Sequence, residues 1–273
     1  MKKLHIMLVV LCIFSLFLAS VAFAGGMSRE ETLDAAYEHL VKVMEPEKLN
    51  ELFSLFDTMK DVGLSWNEDL LIDFQNVVAC KTKEQLHVLW GIGGMNYAYS
   101  VLFEKSPEGI VEFVMDINER IGLPSPELRG GSTTISKSRE GQPKRSADFL
   151  HAMLNRAKTD DAVLNTLVGG FYGSTIELFH LFSSLGLAAG ITDEYIAFLN
   201  KHLPRLAIVQ EMLDAYSKSA ELANLLDTEN RRAVVDSIVG IIERDMGKLT
   251  ENDLKKILAI TKVVRDPLVA PCN

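Results

Sequence analysis

Two Glu-x-x-His pairs, Glu84 with His87 and Glu177 with His180, are the side chains whose types and spacing best suit chemistry. Three residues apart on a helix, a carboxylate and an imidazole share one face. Two such turns on facing helices form part of the ligand set of carboxylate-bridged metal bundles, in which glutamates bridge the metals and histidines supply neutral nitrogens. Iron, manganese or zinc is the cofactor class that such a site implies. A full set needs further carboxylates, and Glu68, Asp69, Asp73, Glu112 and Asp116 are candidates of which none stands out. Two plainer readings remain open: a hydrogen-bonded structural cluster of Glu and His, or no mutual contact at all, with Glu84 a first-turn acid that complements a helix dipole. Glu177 calls for attention under any of them, because a lone carboxylate in an apolar helix must be partnered or hold its proton.

The segments that carry these pairs are nearly free of charge. Residues 86–103 hold no acid or base except His87, and residues 162–191 hold only Glu177 and His180 apart from Tyr172. Helices apolar on every side are buried in protein or lie in a membrane. Glycines interrupt both, at Gly91 to Gly94 and at Gly169 to Gly173, although an interior glycine costs about 1 kcal/mol relative to alanine. Close approach of the two helices is the simplest compensation. Packed antiparallel with the glycines at the crossing, the helices would set Glu84 against His180 and His87 against Glu177.

Elsewhere the sequence is punctuated as helices. Ser28 with Glu31, Ser65 with Glu68 and Thr82 with Gln85 have capping-box spacing, and Ser106-Pro107-Glu108 reads as a cap followed by a first turn. Apolar residues recur at helical steps, as in Leu70, Leu71, Phe74 and Val78. Later helices are expected to begin near Ala147, Asp160, Asp193, Arg205, Glu229 and Glu251, with stops at Gly190, Pro204 and Gly247. The fold expected is all-α, a compact array of about eleven helices without a sheet. A helical half over 25–121 and another over 147–265 are joined by a polar, glycine- and proline-rich loop over 122–146, and 266–273 form a C-terminal tail. A gapped echo between residues 69–103 and 148–179 is compatible with duplication or with chance repetition of helix grammar.

The first 24 residues read as a cleaved signal peptide of bacterial type: Lys2 and Lys3, an apolar run from Ile6 to Leu18, and Ala22-Phe23-Ala24 before Gly25. Cleavage after Ala24 places the protein in the periplasm or outside the cell. It takes the net charge from −9 to −11, since the segment carries two lysines and no acid. So acidic a chain is unsuited to nucleic acid. It also leaves two cysteines, Cys80 and Cys272, which in an oxidising compartment are expected to form a disulfide.

Familiar catalytic signatures are missing: the sequence has no Gly-x-Ser-x-Gly, no His-Glu-x-x-His, no phosphate loop and no Cys-x-x-Cys. Trp66, Trp90, Tyr97, Tyr99 and Tyr172 read as core aromatics or as the lining of an apolar pocket. The reading favoured is therefore an exported, non-enzymatic binding or scaffold protein whose partner is another protein or an apolar ligand. Two alternatives stand beside it: a membrane-associated protein with residues 86–103 and 162–191 as an apolar hairpin, and a metal-binding protein using Glu84, His87, Glu177 and His180.

Overall fold

The computed structural model describes residues 27–35, 62–106, 108–123, 152–153, 155–202, 204–244 and 249–272. The expected signal peptide, and the loop beyond Leu123, lie outside them. Of the described residues 77% are helical and none is in a strand, so the fold is all-α. In chain order the helices are α1 (Lys83–Leu102), α2 (Glu108–Ile121), α3 (Asp161–Ala189), α4 (Asp193–His202), α5 (Pro204–Ser217), α6 (Ala220–Leu225), α7 (Thr228–Arg244) and α8 (Glu251–Val269). A short helical stretch over 29–35 and a 3-10 turn at Glu68–Leu70 complete the main elements before α1.

Local chemistry explains most of these boundaries. Thr82 and Gln85 form a reciprocal capping box at the start of α1, and Ser28 and Glu31 do the same for the N-terminal stretch. Asp160 caps α3 by accepting from the backbone N–H groups of Ala162 and Val163. Gly122 ends α2 with φ of +78°. There the Leu123 N–H returns to the Asn118 carbonyl and the Gly122 N–H to the Glu119 carbonyl, while the Leu123 side chain is buried beneath the turn.

α3 is the axis of the molecule. At 29 residues it is roughly 43 Å long; it carries α1 along one side and α8 along another. α2 packs on the outer side of α1, and α7 joins α5 to α8. The buried apolar side chains form one connected cluster from Leu64 to Leu268, so the described residues before and after 124–151 share a single core. Among the described residues no helix is long and apolar enough to cross a membrane. Both charge-free segments are instead covered by other helices.

The glycines serve the close approach, but the helices run in the same sense. His87 meets Thr166 and Gly169, Gly91 meets Gly170 and Ser174, and Asn96 meets Glu177, so the contacts advance together along both chains. The expected antiparallel crossing, and with it the apolar hairpin, is therefore corrected. A methyl group on Gly91 would overlap the Gly170 carbonyl, and one on Gly173 would overlap the Val88 carbonyl. Gly94 faces open space and has no part in the crossing. Gly91→Ala is thus expected to destabilise by about 2–4 kcal/mol through backbone overlap. Gly94→Ala should stabilise by up to about 1 kcal/mol through helix propensity. Urea unfolding of the two variants checks both signs, and equal effects would contradict the crossing.

Two more expectations are corrected. No helix follows Ser65: Asn67 caps the 3-10 turn instead, and residues 71–82 run without regular structure. Their apolar residues still reach the core, with Ile72, Val77 and Val78 buried. The supposed tail from Asp266 is helical as far as Val269, with Pro267 inside α8. There the missing proline N–H leaves the Val263 carbonyl without its usual helical partner.

Candidate functional site

The glycine crossing separates two buried polar groups, and each contains one of the histidines. The larger group is built around Glu177, which is fully buried near the middle of α3. Arg265 of α8 donates from Nε to Glu177 Oε2 at 2.6 Å and from Nη2 to Oε1 at 3.2 Å. Asn96 of α1 donates from Nδ2 to the same Oε1 at 2.7 Å. Three donors thus converge on one carboxylate, and among the described residues no acceptor is hydrogen-bonded to it. Burial pushes the Glu177 carboxyl up while the guanidinium and the amide oppose that shift; with donors alone around it, the ionised form is the one this geometry holds.

The same two partners reach the irregular segment before α1. Asn96 Oδ1 accepts from the Ile72 N–H at 3.3 Å, and its Nδ2 also donates to the Ile92 carbonyl at 2.9 Å. Arg265 Nη2 donates to the Leu70 carbonyl at 3.1 Å. Nearby, Tyr99 Oη accepts from the Asn67 N–H at 2.9 Å. Apart from the 3-10 bonds of residues 68–70, residues 67–72 are therefore held by core side chains in place of α-helical hydrogen bonds. That is the physical reason the helical spacing of Leu70, Leu71, Phe74 and Val78 misleads.

His180 lies one turn beyond Glu177. It is 5% exposed and its Nδ1 has no hydrogen-bond partner among the described residues. Burial, aided by the charges of Arg265 and Lys262, lowers its pKa from 6.5 to about 3, so the ring is neutral. Ser100, a turn beyond Asn96 on α1, likewise has a buried hydroxyl without a partner among the described residues.

The second group sits on the other side of the crossing. His87 Nδ1 lies 2.9 Å from Thr166 Oγ1, which donates its own proton to the Ala162 carbonyl at 2.7 Å. Because the hydroxyl proton is committed, His87 must be the donor, and the imidazole carries its proton on Nδ1. Burial lowers the pKa of His87 to about 4 against the opposing charge of Glu84. The guanidinium of Arg231 lies over the Tyr172 ring, 5.5 Å from its centroid, with a buried Nη1 that has no hydrogen-bond partner among the described residues. Burial pushes the Arg231 pKa down and raises that of Tyr172 to about 12.

The four residues expected to bind metal do not come together. Glu84 is a first-turn acid of α1, its carboxyl held low by its own backbone N–H and Thr82. His87 faces Thr166, and Glu177 is bound by Arg265 and Asn96. Among the described residues no group of three or more His, Cys, Asp and Glu side chains could hold a metal ion. Of the five supporting carboxylates, Glu68 and Asp69 lie on the exposed 3-10 turn, Asp73 and Glu112 are exposed, and Asp116 pairs with Arg120 at 2.9 Å.

Cys80 and Cys272 do form a disulfide, with Cα atoms 5.5 Å apart across 192 residues of sequence. It fastens the irregular segment to the end of α8. Compared with known proteins, the chain matches no family model, no curated protein and no solved structure.

Sequence reasoning missed Arg265 and Asn96. Arg265 stands on the buried stripe of α8 with Leu254, Ile257, Thr261 and Leu268. A charge at helical register with apolar residues was the available signal.

Proposed function

We propose that the chain is an exported, non-enzymatic helical protein of the periplasm or cell exterior that binds or scaffolds another protein or an apolar ligand. The observation that carries this reading is the state of Glu177. The carboxylate best placed for chemistry is enclosed and saturated by Arg265 and Asn96, so it serves to join α1, α3 and α8. The disulfide supports export, because it unites the two cysteines that remain once residues 1–24 are removed.

Native mass spectrometry of the protein purified from its own host tests the proposal. The expected species begins at Gly25, lacks stoichiometric metal, and carries a protein partner or an apolar adduct. Iron, manganese or zinc retained at one or two per chain would overturn the non-enzymatic reading. An uncleaved chain would overturn export.

A further inference from the structure

We propose that the Cys80–Cys272 disulfide is a redox latch whose opening withdraws Arg265 from Glu177. Cys80 is exposed and Cys272 partly so, and both lie outside the core. The two segments that the bond joins are the two that complete the buried group: the irregular segment gives the Leu70 carbonyl and the Ile72 N–H, and the end of α8 gives Arg265. An accessible covalent bond thus sits seven residues from Arg265, the ion-pair partner of Glu177 among the described residues.

The end of α8 depends on fastening from outside the helix. Pro267 removes the hydrogen bond to the Val263 carbonyl just before Arg265, weakening the helix there. Besides the buried Leu268 and the Ala270 N–H bond to the Asp266 carbonyl, the last turn is held from outside: Lys81 Nζ donates to the carbonyls of Pro267 and Ala270 at 2.9 and 3.0 Å, and the Cys272 N–H donates to the Asn76 carbonyl at 2.7 Å. These contacts are exposed and individually weak. With the disulfide closed they re-form after each opening, because the ends cannot separate. Once it is cut, residues 264–272 are held by noncovalent contacts alone and open more often.

The chemistry requires a dithiol reductant. One thiolate attacks the Cys80 sulfur, the S–S bond breaks, and Cys272 leaves as a thiolate that takes a proton. The second thiol then resolves the mixed disulfide, so the protein gains two electrons and two protons and the reductant leaves as its own disulfide. Fraying of the released end carries Arg265 outward. Glu177, left with Asn96 alone in an apolar setting, takes up a proton. The glycine crossing and the His87–Thr166 contact lie on the far side of this group and stay in place.

Amide hydrogen exchange of the purified chain, oxidised and then treated with dithiothreitol, tests the latch. Exchange should accelerate about tenfold or more in 264–272 and 70–78, while 88–94 and 168–176 keep their protection. Cys272→Ser should reproduce the reduced pattern without reductant. An infrared band of a protonated buried carboxyl should appear on reduction and be absent from Glu177→Gln. Unchanged protection in 264–272 after reduction would reduce the bond to a passive staple and overturn the proposal. So would acceleration of equal size at the glycine crossing, which would mean general unfolding.

Discussion

Arg265→Met is expected to lower the stability of the oxidised protein by about 3–5 kcal/mol, the usual loss when one member of a buried pair is removed. The cause lies in what remains. Glu177 is fully buried, and without the guanidinium it keeps a single donor, the Asn96 amide. The Leu70 carbonyl also loses its donor from Arg265. Glu177→Gln should cost less than Arg265→Met, because the neutral amide needs no counter-charge and its oxygen can still accept. The double variant Arg265→Met with Glu177→Leu should recover most of the loss, since well-packed apolar replacements of a buried pair are often neutral. Urea midpoints at pH 7 give all three values, and the coupling follows from the cycle. Additive losses in the double variant would show that the pair contributes nothing beyond its separate side chains.

The pair also shows what a sequence can and cannot convey. Helix starts at Lys83, Asp161, Asp193 and Glu251 follow from capping residues whose chemistry is local. Burial of Glu177 and the closeness of two glycine-bearing helices are legible for the same reason, since an uncharged helix must be covered and small residues mark close contact. The direction of the crossing is not local. Gly91 and Gly173 permit either sense equally well, and the choice falls to tertiary partners such as Asn96 and Arg265. Once the helices run in the same sense, the two Glu-x-x-His turns no longer face each other, and the metal geometry disappears with the antiparallel assumption.

The irregular segment teaches the complementary point. Helical spacing in residues 70–78 is real, but helix formation there competes with side chains that offer the same hydrogen bonds. Ile72 takes Asn96, Leu70 takes Arg265 and Asn67 takes Tyr99. All three partners come from α1 and α8, so no window of local sequence contains them.

Acidification is expected to remove stability between pH 6.5 and about 4, and the two histidines set that window. Both are neutral in the fold, with pKa values lowered to about 4 for His87 and about 3 for His180. In the unfolded chain each titrates near 6.5. Over this range the unfolded state therefore binds more protons, and stability rises with pH and falls as pH falls. Each histidine contributes a loss of roughly 2–3 kcal/mol by pH 4, His87 the smaller share because its pKa is lowered less. Together that is a large part of the 5–15 kcal/mol typical of a folded domain. Glu177 opposes the trend, since burial raises its pKa in the fold and the native state takes a proton first. The first-turn acids Glu31, Glu84, Glu194, Glu251 and Asp253 have lowered pKa values and add to the loss only below about pH 4.5. Chemical unfolding at half-unit steps from pH 7 to 4.5 should thus show stability falling with pH, the two histidines contributing up to about two protons of slope against the opposing uptake by Glu177. His180→Leu should halve that slope. It should also leave stability at pH 7 unchanged or higher, because the buried Nδ1 has no partner to lose. A flat profile over this range would mean that both rings titrate as they do in water, and that neither is shielded by the helices around it.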